Sequence, residues 1–322
     1  MDLIKFTPIY KPTLWGGNRI QTYKGFPALP EQIGESWELC AMEGNNTVVA
    51  EGKYKGIPLP NLADRLKEKL MGTENYRRYG NRFPLLVKFI DARTDLSVQV
   101  HPGNELARMR HNCPGKSEMW YVIDAEPGAR LCLGWNKEMT PREYEERVRN
   151  HTIEEVLRWL DVHPGDVFNV PAGRVHSIGA GILLAEIQQP SDITYRIYDY
   201  NRRDAKGNLR ELHTELAKDA IDYRLADNAR VAYTPCKDRR VELLDTPYYR
   251  TSLLDLTQPM TCDYTELDSF VVYVCVGGRA TLVPDGGAAC TLVQGETVLV
   301  PACVRTVEIR PEGGVKLLEC GV

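Results

Sequence analysis

The sequence predicts a mainly β chain: two related β-barrels, with a helical insertion inside the first. Three observations carry this reading. Short β-rich runs broken by Gly and Pro recur along most of the 322 residues. Helical patterns are few. Two pairs of segments also repeat in the same order, "EMWYVIDAEPGARLCL" (118–133) with "SFVVYVCVGGRATLV" (269–283), and "GDVFNVPAGRVHSI" (165–178) with "GETVLVPACVRTVEI" (295–309). Each copy of the second pair places Gly, an acid, an apolar strand and a Pro six residues after the Gly.

Along the chain, residues 1–57 read as irregular strands and loops, as in "FPALPEQIGESWELC". A helix follows in "LPNLADRLKEKLMG", where Leu62, Leu66 and Leu70 recur at four-residue spacing. Strands resume with "FPLLVKFIDA" and "LSVQVHP". The runs "SEMWYVIDA" and "ARLCLGW", parted by "EPG", read as a hairpin. Two helices carry capping boxes: Thr140 with Glu143 and Pro141 between them, then Thr152 with Glu155 in "TIEEVLRWL". They form the insertion at about 137–160. "GDVFNVPAG", "ILLAEIQQ" and "ITYRIYDY" return to strand, and "ELHTELAKDAIDYRL" predicts a helix over 210–225. A polar stretch at 226–240 leads into a strand-rich end. The expected units are 1–235, with the insertion, and 236–322.

Composition narrows the class. Hydrophobic residues make up 43% and charged residues 26% with a net charge of −4, so there is a core but no basic field for nucleic acid or anionic lipid. No stretch has the length of a signal or a membrane span. The nine cysteines are odd in number and none forms CxxC, which predicts free thiols in a reducing cytoplasm. No phosphate-binding glycine motif opens a helix. Monomer and homodimer stay open.

The chemistry gathers in the first copy. In "SVQVHPGN", Ser97, Gln99 and His101 alternate with Val98 and Val100, so period two turns three polar groups to one face. Glu118 opens a later strand and His176 follows a Pro-Ala-Gly turn. Nitrogen and oxygen donors of this kind suit one first-row divalent ion such as zinc. The second copy has Thr306 where the first has His176, and Ser269 is the expected counterpart of Glu118. His111, His151, His163 and His213 read as ordinary histidines.

Gly165, Pro171, Gly173 and His176 match G-x5-P-x-G-x2-H, which resembles the second motif of the cupin superfamily and implies jelly-roll barrels, the second degenerate. "YKPTLWGG", "GESWELC", "LSVQVHP", "GKSEMWYV", "PAGRVHSIGAG" and "QQPSDITYRIYDYNR" are similar, in order, to signature stretches of type I phosphomannose isomerases of the short bacterial form; "HPGN" departs from a common His-Pro-Asp-Asp. The resemblance implies interconversion of mannose 6-phosphate and fructose 6-phosphate by C1–C2 proton transfer through a cis-enediol, with one zinc ion on Gln99, His101, Glu118 and His176. It implies Arg196 as the catalytic arginine, Lys116 as acid–base or phosphate contact, Asp192 as orienter or relay, and Ser97 at the phosphate. The group that moves the proton stays open between Lys116, His101 and a metal-bound water. Trp15 and Trp37 divide between pocket wall and core. Two other classes fit the same ligands: another metal-dependent cupin enzyme such as a dioxygenase, and a non-catalytic sugar-phosphate binder. Lys116 and Arg196 beside the metal favour an anionic substrate over the dioxygenase.

Overall fold

The computed structural model describes residues 1–26, 32–203, 206–225 and 229–322. Residues 27–31 of the irregular N-terminal stretch and 226–228 of the polar stretch lie outside them. The fold is mainly β, as expected. A six-stranded sheet runs Val167–Val170, Glu118–Ala125, Ile182–Gln188, Leu86–Ala92, Ile9–Gly17, Ile33–Leu39. A five-stranded sheet faces it, in the order Leu157–Asp161, Arg130–Trp135, His176–Ile178, Val98–Val100, Tyr195–Tyr198. Trp120, Val122 and Leu184 from the first sheet and Leu131, Leu133 and Ile178 from the second share one core. This is the first barrel.

The second barrel is a nine-stranded sheet centred on two long strands, Val271–Pro284 and Thr306–Gly321. The strand Ile4–Thr7 joins it: Ile4 pairs with Leu299, and Phe6 with Val49 on the other side. The six-stranded sheet is therefore covered on both faces. Val87, Phe89, Met119 and Ile187 on its outer face pack with Phe270, Val272 and Leu318 of the second barrel. Double burial explains why Leu86–Ala92 and Ile182–Gln188 are apolar with little alternation, since both carry buried residues throughout.

Several local expectations are corrected. Glu118–Ala125 and Arg130–Trp135 do not form a hairpin: the turn at Glu126–Ala129 is a corner, and the two strands enter different sheets. In the second copy the matching segment is a single strand whose register shifts near Gly277 and Gly278. The second capping box makes no helix. Thr152 caps nothing with its side chain, Ile153–Val156 is one 3-10 turn, and Leu157–Asp161 is a strand. Leu160 and Trp159 pair there with Leu131 and Cys132, and this sheet edge overrides local propensity. The first box holds in part: the Glu143 amide donates to Thr140 Oγ1 at 3.1 Å, and the Glu143 carboxylate turns to Lys137.

The helix expected over 210–225 shrinks to Thr214–Lys218. Before it, His213 is held outside helical geometry, its amide donating to the Arg196 carbonyl at 2.7 Å. After it, the Asp222 and Tyr223 carbonyls accept from the Trp135 indole and the Met139 amide, which a continuing helix would forbid. The helix over 59–71 breaks at Lys67, whose φ is 50°. All nine cysteines are free thiols. No helix among the described residues is long and apolar enough to cross a membrane.

Phe270 is fully buried against Phe83, with ring centroids 4.3 Å apart, in the cluster shared by both barrels. Phe270→Ala should cost about 3–5 kcal/mol. Urea unfolding followed by far-ultraviolet dichroism should show one earlier transition; two separated transitions would mean the barrels do not share a core.

Candidate metal centre

Two rows of cross-strand neighbours build the site, one on each facing sheet. On the six-stranded sheet Trp37 pairs with Lys88, Lys88 with Glu186, and Glu186 with Trp120. On the five-stranded sheet Arg196 pairs with Gln99 and Gln99 with His176. Directly paired residues share a face. The rows thus aim charged and polar groups into the same interior while Val98 and Val100 pack behind, against Trp135 and Tyr195.

Ligand atoms of His101, Glu118 and His176 lie within 4.8 Å of one another, and all three residues are buried. The Nδ1 of His101 is 2.8 Å from the Ile193 carbonyl, and that of His176 is 2.8 Å from the Arg174 carbonyl. A carbonyl only accepts, so each Nδ1 carries the proton and each Nε2 keeps its lone pair. His101 Nε2 nevertheless stands 3.2 Å from Glu118 Oε1, and His176 Nε2 stands 3.9 Å from Oε2. Buried His101 Nε2 makes no hydrogen bond. Electron-rich atoms converging in this way fit a cation between them, and nitrogen with carboxylate oxygen suits a divalent transition ion. The Gln99 amide reaches the same space, 3.3 Å from His176 Nε2.

The protonation states agree. Burial, reinforced by the Lys116 ammonium, pushes His101 down to about 3. Burial also lowers His176. Burial alone would raise Glu118, but the Lys116 ammonium, 2.8 Å from Oε1, outweighs it and holds the carboxyl well below its usual range. Neutral imidazoles and an ionised carboxylate are the forms a metal needs.

Behind Glu118 stands a second set of charges. The Trp120 indole donates to Glu118 Oε2 at 3.1 Å and to Glu186 Oε1 at 2.9 Å. Lys88 is 3.1 Å from Glu186 and 3.6 Å from Glu35, and lies over the Trp37 ring. Burial works against the Lys88 ammonium, but Glu186 and then Glu35 more than offset it and raise its pKa.

A cavity of about 190 Å³ opens beside the cluster. Its walls include Trp15, Trp37, Ser97, Lys116, Asp192 and Arg196, so both tryptophans are wall residues as well as buried ones. Ser97 Oγ sits 3.5 Å from the Gln99 amide oxygen. Arg196 donates from Nη1 to the Glu211 carbonyl at 2.8 Å and makes no ion pair with Asp192 or Asp199. Burial and then Arg210 lower the Arg196 pKa. Among the other histidines, His111 bonds the Tyr195 hydroxyl at 2.7 Å and His213 accepts from the Arg196 amide at 3.1 Å, so neither is a ligand.

Sequence reasoning missed Lys88, Glu186, Trp120, Glu35 and Arg210. Two left a signal: Lys88 inside "LLVKFIDA" and Glu186 inside "ILLAEIQQ". A charge in a doubly buried strand is costly unless paired, and each strand's exception predicts the other's.

Residues 3–127 match the family model described as phosphomannose isomerase type I, catalytic domain. The chain is 42% identical over 218 residues to mannose-6-phosphate isomerase ManA of Bacillus subtilis, covering 67% of each. It is 33% identical over 294 residues to the mannose-6-phosphate isomerase of Streptococcus mutans, covering 91% of this chain and 90% of the relative. A crystal structure of mannose 6-phosphate isomerase from Bacillus subtilis superposes with a TM-score of 0.89 at 28% identity, covering both chains fully.

His176→Ala should reduce bound divalent metal at least tenfold, read by elemental analysis after dialysis; undiminished metal would place the ion elsewhere. In metal-free protein the imidazoles refuse protons that the unfolded chain accepts. Stability should therefore fall as pH drops from 6.5 toward 3, with Glu118 adding to the loss below 4.5. A urea midpoint unchanged between pH 7 and pH 5 would contradict this.

Proposed function

The chain belongs to the type I phosphomannose isomerases, and on that footing we propose that it interconverts mannose 6-phosphate and fructose 6-phosphate through a cis-enediol. The observation that carries the reading is the convergence of two lone-pair imidazoles and a buried carboxylate beside a cavity that also receives Lys116 and Arg196.

We assign zinc as the ion, held by His101, Glu118, His176 and Gln99, the last with its amide oxygen turned inward; the two ends of an amide have the same shape. When bound, the ion supplies a Lewis acid that orients the sugar and polarises a carbonyl oxygen. The chain's own residues do the rest. A C–H beside a carbonyl is a weak acid, so its proton leaves only as negative charge on oxygen is stabilised. Arg196 stays protonated and lines the cavity, and its buried Nε has no hydrogen bond, which suits it to the enediolate charge. Lys116, two residues before Glu118, is buried at the metal edge and serves as acid–base group or phosphate contact. Asp192 lines the cavity as orienter or relay, and Ser97 presents its hydroxyl to the phosphate. Trp15 and Trp37 exclude water and offer flat faces to sugar C–H surfaces.

A coupled assay with mannose 6-phosphate should show turnover that chelation abolishes and zinc restores. Arg196→Ala should keep its metal and lose at least 10²-fold in kcat, a loss of the size seen when one oxyanion donor is removed. Metal loss in that variant would move Arg196 into the ligand shell.

A further inference from the structure

We propose that Arg210 is the residue that recognises the substrate's phosphate, an anchor beyond those assigned above; the inference rests on the isomerase reading. Asp199 is 4% exposed and takes two guanidinium groups on one oxygen, Arg202 at 2.7 Å and Arg210 at 3.4 Å. The distances separate their roles. Arg202 is the short partner, and it also donates to Thr94 Oγ1 at 3.3 Å, so it is spent on structure. Among the described residues Arg210 has only the long contact, yet it reaches the cavity wall beside Arg196.

Charge points the same way. Among the described residues, Arg196, Arg202 and Arg210 crowd this end, and Arg210 depresses Arg196 more than any other charge does. Asp199 and Asp192 are the carboxylates that face them; the Glu211 side chain is 84% exposed and turned to solvent. Three cations against two carboxylates leave an excess in a half-buried space, with Arg196 Nε lacking a hydrogen bond. A phosphate monoester brings about −1.5 to −2 charge at neutral pH and three acceptor oxygens. A guanidinium fork matches those oxygens in pairs, and one held only at 3.4 Å turns to them with little loss. Ser97 on the same wall offers a hydroxyl to the third oxygen.

The test compares metal-loaded wild type with Arg210→Gln and Arg210→Lys. One charge-assisted contact corresponds to about tenfold or more in binding. Arg210→Gln should raise KM for mannose 6-phosphate by about that factor, weaken inhibition by inorganic phosphate equally, and leave kcat within about threefold; Arg210→Lys should recover part of the loss. Independently of turnover, inorganic phosphate should raise the melting temperature of wild type and not that of Arg210→Gln. An unchanged KM with unchanged phosphate inhibition overturns the inference, as does a fall in kcat at constant KM, which would make Arg210 a support for Arg196. Wild type without turnover on mannose 6-phosphate would instead refute the isomerase reading, and the melting shift would still report on Arg210.

Discussion

The architecture depends on the price of keeping the Glu118 carboxylate ionised at 1% exposure. A lone buried carboxylate would take up a proton. The Lys116 ammonium prevents that on one side, and the Trp120 indole satisfies the other oxygen. The indole then shares its proton with Glu186, which needs Lys88, which needs Glu35. Compensation passes from strand to strand along one row of the six-stranded sheet. The loops follow the same demand. Ile193 and Arg174 lend carbonyls that fix the imidazole tautomers, and Gln188 ties its own loop by donating to the Gln189 and Ser191 carbonyls at 2.7 Å.

The second barrel shows the frame without the chemistry. Val170 pairs with Glu118, and its counterpart Val300 pairs with Val271. Valine, not Ser269, therefore stands at the position of the carboxylate ligand, while Thr306 replaces His176. One residue of the charged row persists: Glu319 pairs with Tyr273 as Glu186 pairs with Trp120. It is satisfied by Arg240 at 2.6 and 2.9 Å and by the Tyr264 hydroxyl. Both of its oxygens are thus met by donors from within.

Much of this was legible in the residues. The barrel repeat, the apolar runs and the alternation of Ser97, Gln99 and His101 follow from period two and Gly/Pro punctuation. The four donors stood out because they were polar in apolar surroundings. Sheet partnership was not legible. Nothing in "EMWYVIDAEPGARLCL" tells whether its halves pair or part, because the choice depends on strands 50 to 70 residues away, such as Val167–Val170 and Ile182–Gln188. "TIEEVLRWL" misled for the same reason: its capping signal is local, and the edge of Arg130–Trp135 that captures it is not. Arg210 carries no signal at all, being one arginine in a polar loop until Asp199 gathers it.

The strand Ile4–Thr7 leaves the ribosome long before its partner Thr297–Val300. The earlier strand must wait until its partner is made before those hydrogen bonds can close. The second barrel thus acts as a clasp that closes only once Thr297–Val300 is made, and a chain cut short of that strand leaves both an unpaired sheet edge and the apolar outer face of the catalytic sheet in view of the cell's quality control.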